Sequence, residues 1–209
     1  VVTFNPRGVS SVTLASEDYE DYFRSRFGRP LLRADAPGAW GRLIPERIEA
    51  GSPGRLPVDL RSVTEFQEEV LMQAASIPKG EVRPYGWLAV KVGNPKAARA
   101  VGSTMARNPI PLIIPCHRVV RSDGHIGAYS LGGPEQKWQL LTVEGAGPDD
   151  LEDLAARQVR YLGNTSTGIF VHPTCRAIRR SKVENVEEVR DTRQAQELGY
   201  RPCSLCQPV

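Results

Sequence analysis

Cys116 is the residue around which chemistry can be built. It stands between Pro115 and His117, with Arg118 next, in the run PLIIPCHRVV. A thiol attacks only as the thiolate, so a reactive cysteine needs a base or a positive charge beside it, and this run supplies both. The competing reading is a buried structural cysteine that adjoins a histidine by chance, and the dipeptide alone does not decide. The other three cysteines, Cys175, Cys203 and Cys206, fall within the last 35 residues. So sparse a set argues against a disulfide framework and for one reactive thiol and one metal site.

Elements must position these groups. The 209 residues suffice for one large or two modest cores. Val1 to Ser16 reads as two short strands turning at Asn5-Pro6-Arg7-Gly8, followed by a helix through EDYEDYFRSRFG. A Gly- and Pro-rich loop follows from Arg29 to Pro57, with short apolar pieces such as RLIPERIEA, and then a VDL strand. Thr64 is placed to cap a helix through FQEEVLMQAASI, with Phe66, Val70 and Ala74 on one face. Two short helices come next, around Tyr85 to Val92 and Pro95 to Ala106, with Gly93-Asn94 as the turn and Pro95 at the first helical position. That is helix-turn-helix spacing, which many helical hairpins share. An apolar strand from Pro111, a glycine loop YSLGG and a helix PEQKWQLLTVEG complete this part. The junction GAGPDD precedes a helix near LEDLAARQ and the cysteine-bearing tail. The domains are therefore set at 1–62, 63–148 and 149–209.

Net charge is only +3, but its distribution is uneven. From Gly80 to Arg121 seven basic residues (Arg83, Lys91, Lys96, Arg99, Arg107, Arg118, Arg121) face one acidic residue, Glu81. A basic stripe of this kind is either a phosphate-binding face or a solvated surface. Around Arg99 lie the small residues Ala97, Ala98, Ala100, Gly102 and Ser103, which allow either a DNA backbone or a neighbouring helix to come close. No apolar run is long enough to span a membrane and the first residues lack a signal peptide's pattern, so a cytoplasmic monomer with no membrane partner is expected.

The segment NPKAARAVGSTMARNPIPLIIPCHRVVRSDGHIGAYS resembles the O6-alkylguanine-DNA alkyltransferase family. The resemblance runs from about residue 1 to Gly145 and is strong from Phe66 onward. It implies a helix-turn-helix catalytic domain, mostly helical, behind an α/β N-terminal lobe that is RNase H-like. It also implies irreversible alkyl transfer from O6-alkylguanine in double-stranded DNA to Cys116, once per molecule and without an organic cofactor. By the same resemblance His117 takes the thiol proton through a water, Glu144 orients His117, and Asn108 ties the helix-turn-helix to the active-site strand. Tyr85 protonates the leaving base and Ser130 hydrogen-bonds its O6. Arg99 fills the space of the extruded nucleotide, with Lys96, Ala98 and Gly102 on the same DNA-facing helix. Pro111 and Tyr129 wall the base pocket, and the backbone of Cys116 and Val119 reads the base edge. The SLGG after Tyr129 departs from the family pattern and holds apparently one extra residue.

The tail, from YLGNTSTGIF through PTCRA and GYRPC to CQP, resembles the zinc domain of the Ada adaptive-response protein. Val171 stands where that domain's methyl-accepting cysteine would be, which speaks against phosphotriester repair. His172-x-x-Cys175 with Cys203-x-x-Cys206 then has the spacing of one structural Zn2+ site, the alternative being a three-ligand or metal-free remnant. Two other functions compete with repair. A damage sensor would need no Cys116, His117 and Glu144 set, and an enzyme using a small-molecule alkyl donor would need no Arg99 or basic stripe.

Overall fold

The valine-bearing segments VTFN and GVSSV pair as an antiparallel hairpin of β1 (Val2–Asn5) and β2 (Gly8–Val12). The computed structural model describes residues 1–16, 18–28 and 30–209. Glu17, which opens the expected first helix, and Arg29, which opens the expected loop, lie outside the described residues. The helix itself is α1 (Tyr19–Phe27), closed by Gly28 at φ 66°. The expected VDL strand is reduced to one parallel bridge between Val9 and Val58. The 29–57 loop is corrected more strongly, because α2 (Trp40–Ala50) runs through its middle. Pro45 lies inside α2 and reads locally as a breaker. Its missing N–H leaves only the carbonyl of Gly41 unpaired, and Gly41 is exposed to water.

Helix α3 (Glu65–Ala74) starts as expected at Thr64, whose hydroxyl accepts from the Gln67 backbone while the Gln67 side chain accepts from Thr64 N–H. Strand β3 (Arg83–Pro84) leads directly into α4 (Tyr85–Lys91), the first helix of the helix-turn-helix. The second, α5 (Ala98–Ala106), begins three residues later than Pro95. Ala97 N–H bonds back to Asn94 C=O (2.9 Å), so Pro95 occupies the turn rather than the first helical position. Strand β4 (Val119–Val120) pairs in parallel with β3, which places the Cys116 turn against the start of α4. Helices α6 (Gly133–Val143) and α7 (Pro148–Ala156) follow, each opening on a glycine with positive φ and a proline in its first turn.

The tail forms a sheet of its own, absent from the sequence expectation. Strands β5 (Tyr161–Asn164), β6 (Ile169–Val171), β7 (Val186–Val189) and β8 (Arg201–Pro202) lie in the order β7-β5-β6-β8, with α8 (Thr192–Glu197) between β7 and β8. A single apolar cluster from Val9 to Tyr129 joins the N-terminal lobe to the helix-turn-helix, and Cys116 is part of it. Two smaller clusters hold the terminal sheet, one around Tyr161 and Phe170 and one around the three cysteines. Among the described residues no helix is long and apolar enough to cross a membrane.

Candidate active site and metal cluster

The segment expected to be a strand from Pro111 is instead a tight turn. Pro111 bridges Ile114, Leu112 takes φ 72°, and Cys116–Arg118 form one turn of 3-10 helix. Pro111 and Pro115 bring no N–H to a ladder, so the run cannot sit in a sheet interior. Asn108 supplies the missing partners, donating from Nδ2 to Ile114 C=O (2.8 Å) and accepting from Ile110 N–H (3.0 Å). It thereby fixes the end of α5 to the turn that carries the thiol.

Cys116 is buried, and burial pushes its thiol pKa up. A hydrogen bond with Asn108, the charge of Lys137 and the backbone N–H groups of Cys116 and His117 act the other way. The resting group is thus a thiol in need of a base. His117 is 2% exposed, and its Nε2 lies 3.0 Å from Glu144 Oε1. Burial of Glu144 would raise its pKa, but hydrogen bonds from His117 and Arg118 outweigh burial and bring it down to about 2. An ionised carboxylate only accepts, so Nε2 carries the hydrogen, and in the neutral imidazole Nδ1 is then the nitrogen with a lone pair. Nδ1 is buried and has no protein partner. His117 is thus oriented by Glu144 and directly follows Cys116 in the same turn of 3-10 helix.

Two residues the sequence reading did not assign to the site complete it. Arg118 is 1% exposed and grips both Glu144 oxygens (2.8 and 2.7 Å). Its remaining donors reach the carbonyls of Ala50, Gly51 and Ile77 at 2.8–3.2 Å, locking the N-terminal lobe to the site. Gly51 ends α2 at φ +61°, and a Cβ there would collide with the Arg118 guanidinium. Lys137 is fully buried and donates to Val119 C=O (2.6 Å) and Ile126 C=O (2.7 Å). Burial brings its pKa down to about 8, against the opposing pull of Cys116. A signal for Lys137 existed: Lys137, Leu141 and Glu144 recur at i, i+4 and i+7, one face of α6.

The remaining predicted residues fall in two concavities. Tyr85, half-buried, shares one of about 480 Å³ with Ala98 and Arg99. Burial raises the Tyr85 phenol pKa, and a charge on Cys116 raises it further, so Tyr85 senses the thiol. Ser130 and Pro111 line another concavity of about 240 Å³ together with Asn108. Tyr129 is buried, its ring edge-on to His117 with centroids 6.2 Å apart and its hydroxyl without a protein partner. Lys96 and Arg99 are exposed, while Ala98 and Gly102 are half-buried. A Cβ built on Gly102 meets no atom within 4 Å, so packing inside the protein does not call for a glycine there.

Three of the four expected metal ligands come together. The sulfurs of Cys175, Cys203 and Cys206 lie within 4.8 Å of one another, and all three residues are buried. Backbone N–H groups of His172 and Leu205 point at Cys206 and Cys203 sulfur (3.4 Å each), as suits thiolates that carry a metal. His172 itself is outside the group, contrary to expectation. Side chains alternate along extended chain, so Val171 packs against the cysteines while the His172 ring turns to Tyr161, centroids 5.3 Å apart. Its buried Nε2 has no protein partner, and burial lowers its pKa to about 3. Three buried soft donors fit a divalent metal such as zinc.

Residues 65–146 match the family described as 6-O-methylguanine DNA methyltransferase, DNA binding domain, and residues 152–209 match the metal binding domain of Ada. The methylated-DNA–protein-cysteine methyltransferase of Rattus norvegicus is 54% identical over 81 residues, 38% of this chain and 39% of that protein. The chain thus spans about two fifths of the length of the rodent relatives it matches. The solved O6-methylguanine-DNA methyltransferase of Pyrococcus kodakaraensis superimposes with TM-score 0.54 at 30% identity, covering 69% of this chain and 89% of that one. The Mycobacterium tuberculosis OGT in complex with DNA gives 0.50 at 29%, covering 72% and 89%. The Mycobacterium bovis relative of the same name as the rat protein is 40% identical over 121 residues, 55% of this chain and 72% of that protein. With that much of a relative matched at that identity, the chain belongs to the methylated-DNA–protein-cysteine methyltransferase family.

Proposed function

We propose that the protein repairs DNA by moving an alkyl group from O6 of guanine to Cys116, irreversibly and once per molecule. The observation that carries this is the His117–Glu144 contact of 3.0 Å, which in the neutral imidazole leaves the other ring nitrogen free to accept, on the residue next to the buried thiol. His117 takes the thiol proton through a water, and the thiolate attacks the alkyl carbon. A carbon–sulfur bond forms as the carbon–oxygen bond breaks. Guanine leaves with the electron pair and Tyr85 protonates it, Tyr85 recovering a proton from His117 or solvent. Ser130 hydrogen-bonds O6, Pro111 and Tyr129 wall the base, and Val119 reads its edge.

The target base lies inside double-stranded DNA and must be extruded, at a cost of a few kcal/mol. Arg99 fills the gap it leaves. Lys96, Ala98 and Gly102 meet the groove, supported by the open space at Gly102. Gly102→Ala is expected to stabilise the fold by about 1 kcal/mol, since glycine inside a helix costs that much. The same methyl should weaken binding to duplex DNA. Melting temperature and duplex titration of the one variant check both, and unweakened binding would return this helix to a packing role.

The reading extends to a cytoplasmic monomer divided at 1–62, 63–148 and 149–209. Its first lobe is read as a reduced RNase H-like unit, supported by the β1–β2 hairpin and the Val9–Val58 bridge. Zn2+ held by Cys175, Cys203 and Cys206 supplies a structural staple and no chemistry at Cys116. The test of the function is intact mass after mixing with a duplex that contains one O6-methylguanine. One added methyl, lost in Cys116→Ser, is expected. No added mass in the parent protein overturns the proposal.

A further inference from the structure

Arg160 enters the C-terminal unit just ahead of β5 and is held at two points. Its backbone N–H donates to Val189 C=O (3.0 Å), and its guanidinium donates to the carbonyl of Ser122, in the loop after β4. The buried Nε has no protein partner. An arginine from one unit is therefore laid along the wall of the other. That wall is the concavity that holds Tyr85 and Arg99. Arg99, Arg121 and Arg160 line it against one carboxylate, Asp123, which Arg121 already pairs. A wider groove of about 890 Å³ opens beside it, running from Pro95 past Ser122, Asp123 and Arg160 to Arg190, Asp191 and Thr192.

Arg99, Arg121 and Arg160 on one open concavity, with Arg160 and Arg190 on the groove beside it, suit a chain of phosphates better than a single small anion, even with Arg121 paired to Asp123. Resting on the function proposed above, we infer that the C-terminal unit completes the DNA surface of the helix-turn-helix. Arg160 holds a phosphodiester of the strand that flanks the extruded nucleotide, and Arg190 extends the track. The unit thus serves recognition by its position, independently of the residue at 171. Its metal cluster matters to DNA only by keeping Arg160 in place.

The experiment uses the full chain carrying Cys116→Ser, so that binding is measured without reaction, and a lesion-bearing duplex titrated from 50 to 200 mM salt. Each phosphate contact contributes about 0.9 to the slope of log K against log salt. Arg160→Gln keeps a donor for Ser122 and removes the charge. It should lower that slope by about 0.9, a roughly threefold smaller loss of affinity over this range. Arg160→Lys should restore it. An unchanged slope in Arg160→Gln overturns the inference, as does a loss that Arg160→Lys fails to recover, since that loss would be structural. A parent protein that adds no methyl and binds no duplex would instead overturn the function on which the inference rests.

Discussion

Arg118→Ala is expected to cost about 3–5 kcal/mol of stability and to abolish alkyl transfer, although Arg118 touches neither the thiol nor the base. The physical reason is what the deletion leaves behind. Glu144, 9% exposed in its side chain, would keep a charge without its bidentate partner, and the carbonyls of Ala50, Gly51 and Ile77 would lose a donor. An uncompensated buried carboxylate is costlier than the pair was favourable. Arg118→Lys should recover little, because one ammonium cannot reach two carboxylate oxygens and three carbonyls together. The acid limb should move as well. Against burial, the hydrogen bonds from His117 and Arg118 hold the folded Glu144 carboxyl at about 2, below the usual carboxylate range, so the stability it contributes is fully present above the unfolded value and lost as pH falls through 2. Without Arg118 the folded value rises and acid unfolding begins at higher pH. Urea and acid titrations followed by tryptophan fluorescence read both effects, and an unchanged urea midpoint would sink this account of Arg118.

Much of this site was legible because local rules and tertiary demand agree. Thr64 and Gln67 form the capping box their order suggests, and the apolar face of α3 meets the core where expected. His117 and Glu144 meet because the turn that carries Cys116 packs against the end of α6, which Glu144 caps. The misses have separate causes. PLIIP is apolar throughout, so periodicity could not separate strand from turn, and Asn108 settled the matter through hydrogen bonds that spacing does not display. α2 was hidden by Pro45, whose penalty is borne at a carbonyl facing water. Pro95 suits a turn and a helix start equally, and Asn94 decided for the turn. His172 failed as a ligand because ligand spacing says nothing of which side of an extended chain a residue faces. The partners of Arg118 come from three distant segments, and no local pattern announces such convergence.

With the proposed metal held by the three cysteines, stripping it should destabilise the whole chain rather than its last third alone. Structural zinc contributes on the order of 10 kcal/mol in small modules, comparable with the entire stability of an ordinary domain. Three thiols without a metal would leave a small cluster of Val171 and Ile178, with Leu162, Ile169 and Val186 packed on its edge. The loss then travels through a seam. Trp87, on α4, donates its indole N–H to Cys206 C=O (2.8 Å), so a ligand loop is tied to the helix that starts with Tyr85. Thr174 Oγ1 accepts from Val82 N–H (2.8 Å), and Arg179 donates to Gly80 C=O (2.6 Å) beneath the end of α6. The buried Glu81–Arg83 pair lies in the same seam, with Glu81 also accepting from Arg176 N–H (3.2 Å). Opening the seam would expose that pair to water and release α4 on the side away from the thiol. Calorimetry of metal-loaded and chelator-treated protein should therefore show one transition that moves to lower temperature, accompanied by slower alkyl transfer. Trp87→Phe should weaken the link, so that chelation lowers a first transition and leaves most of the second in place. If metal removal leaves the melting temperature unchanged, the three cysteines form a redox-sensitive or inert thiol cluster and the staple must be sought in the β7-β5-β6-β8 sheet.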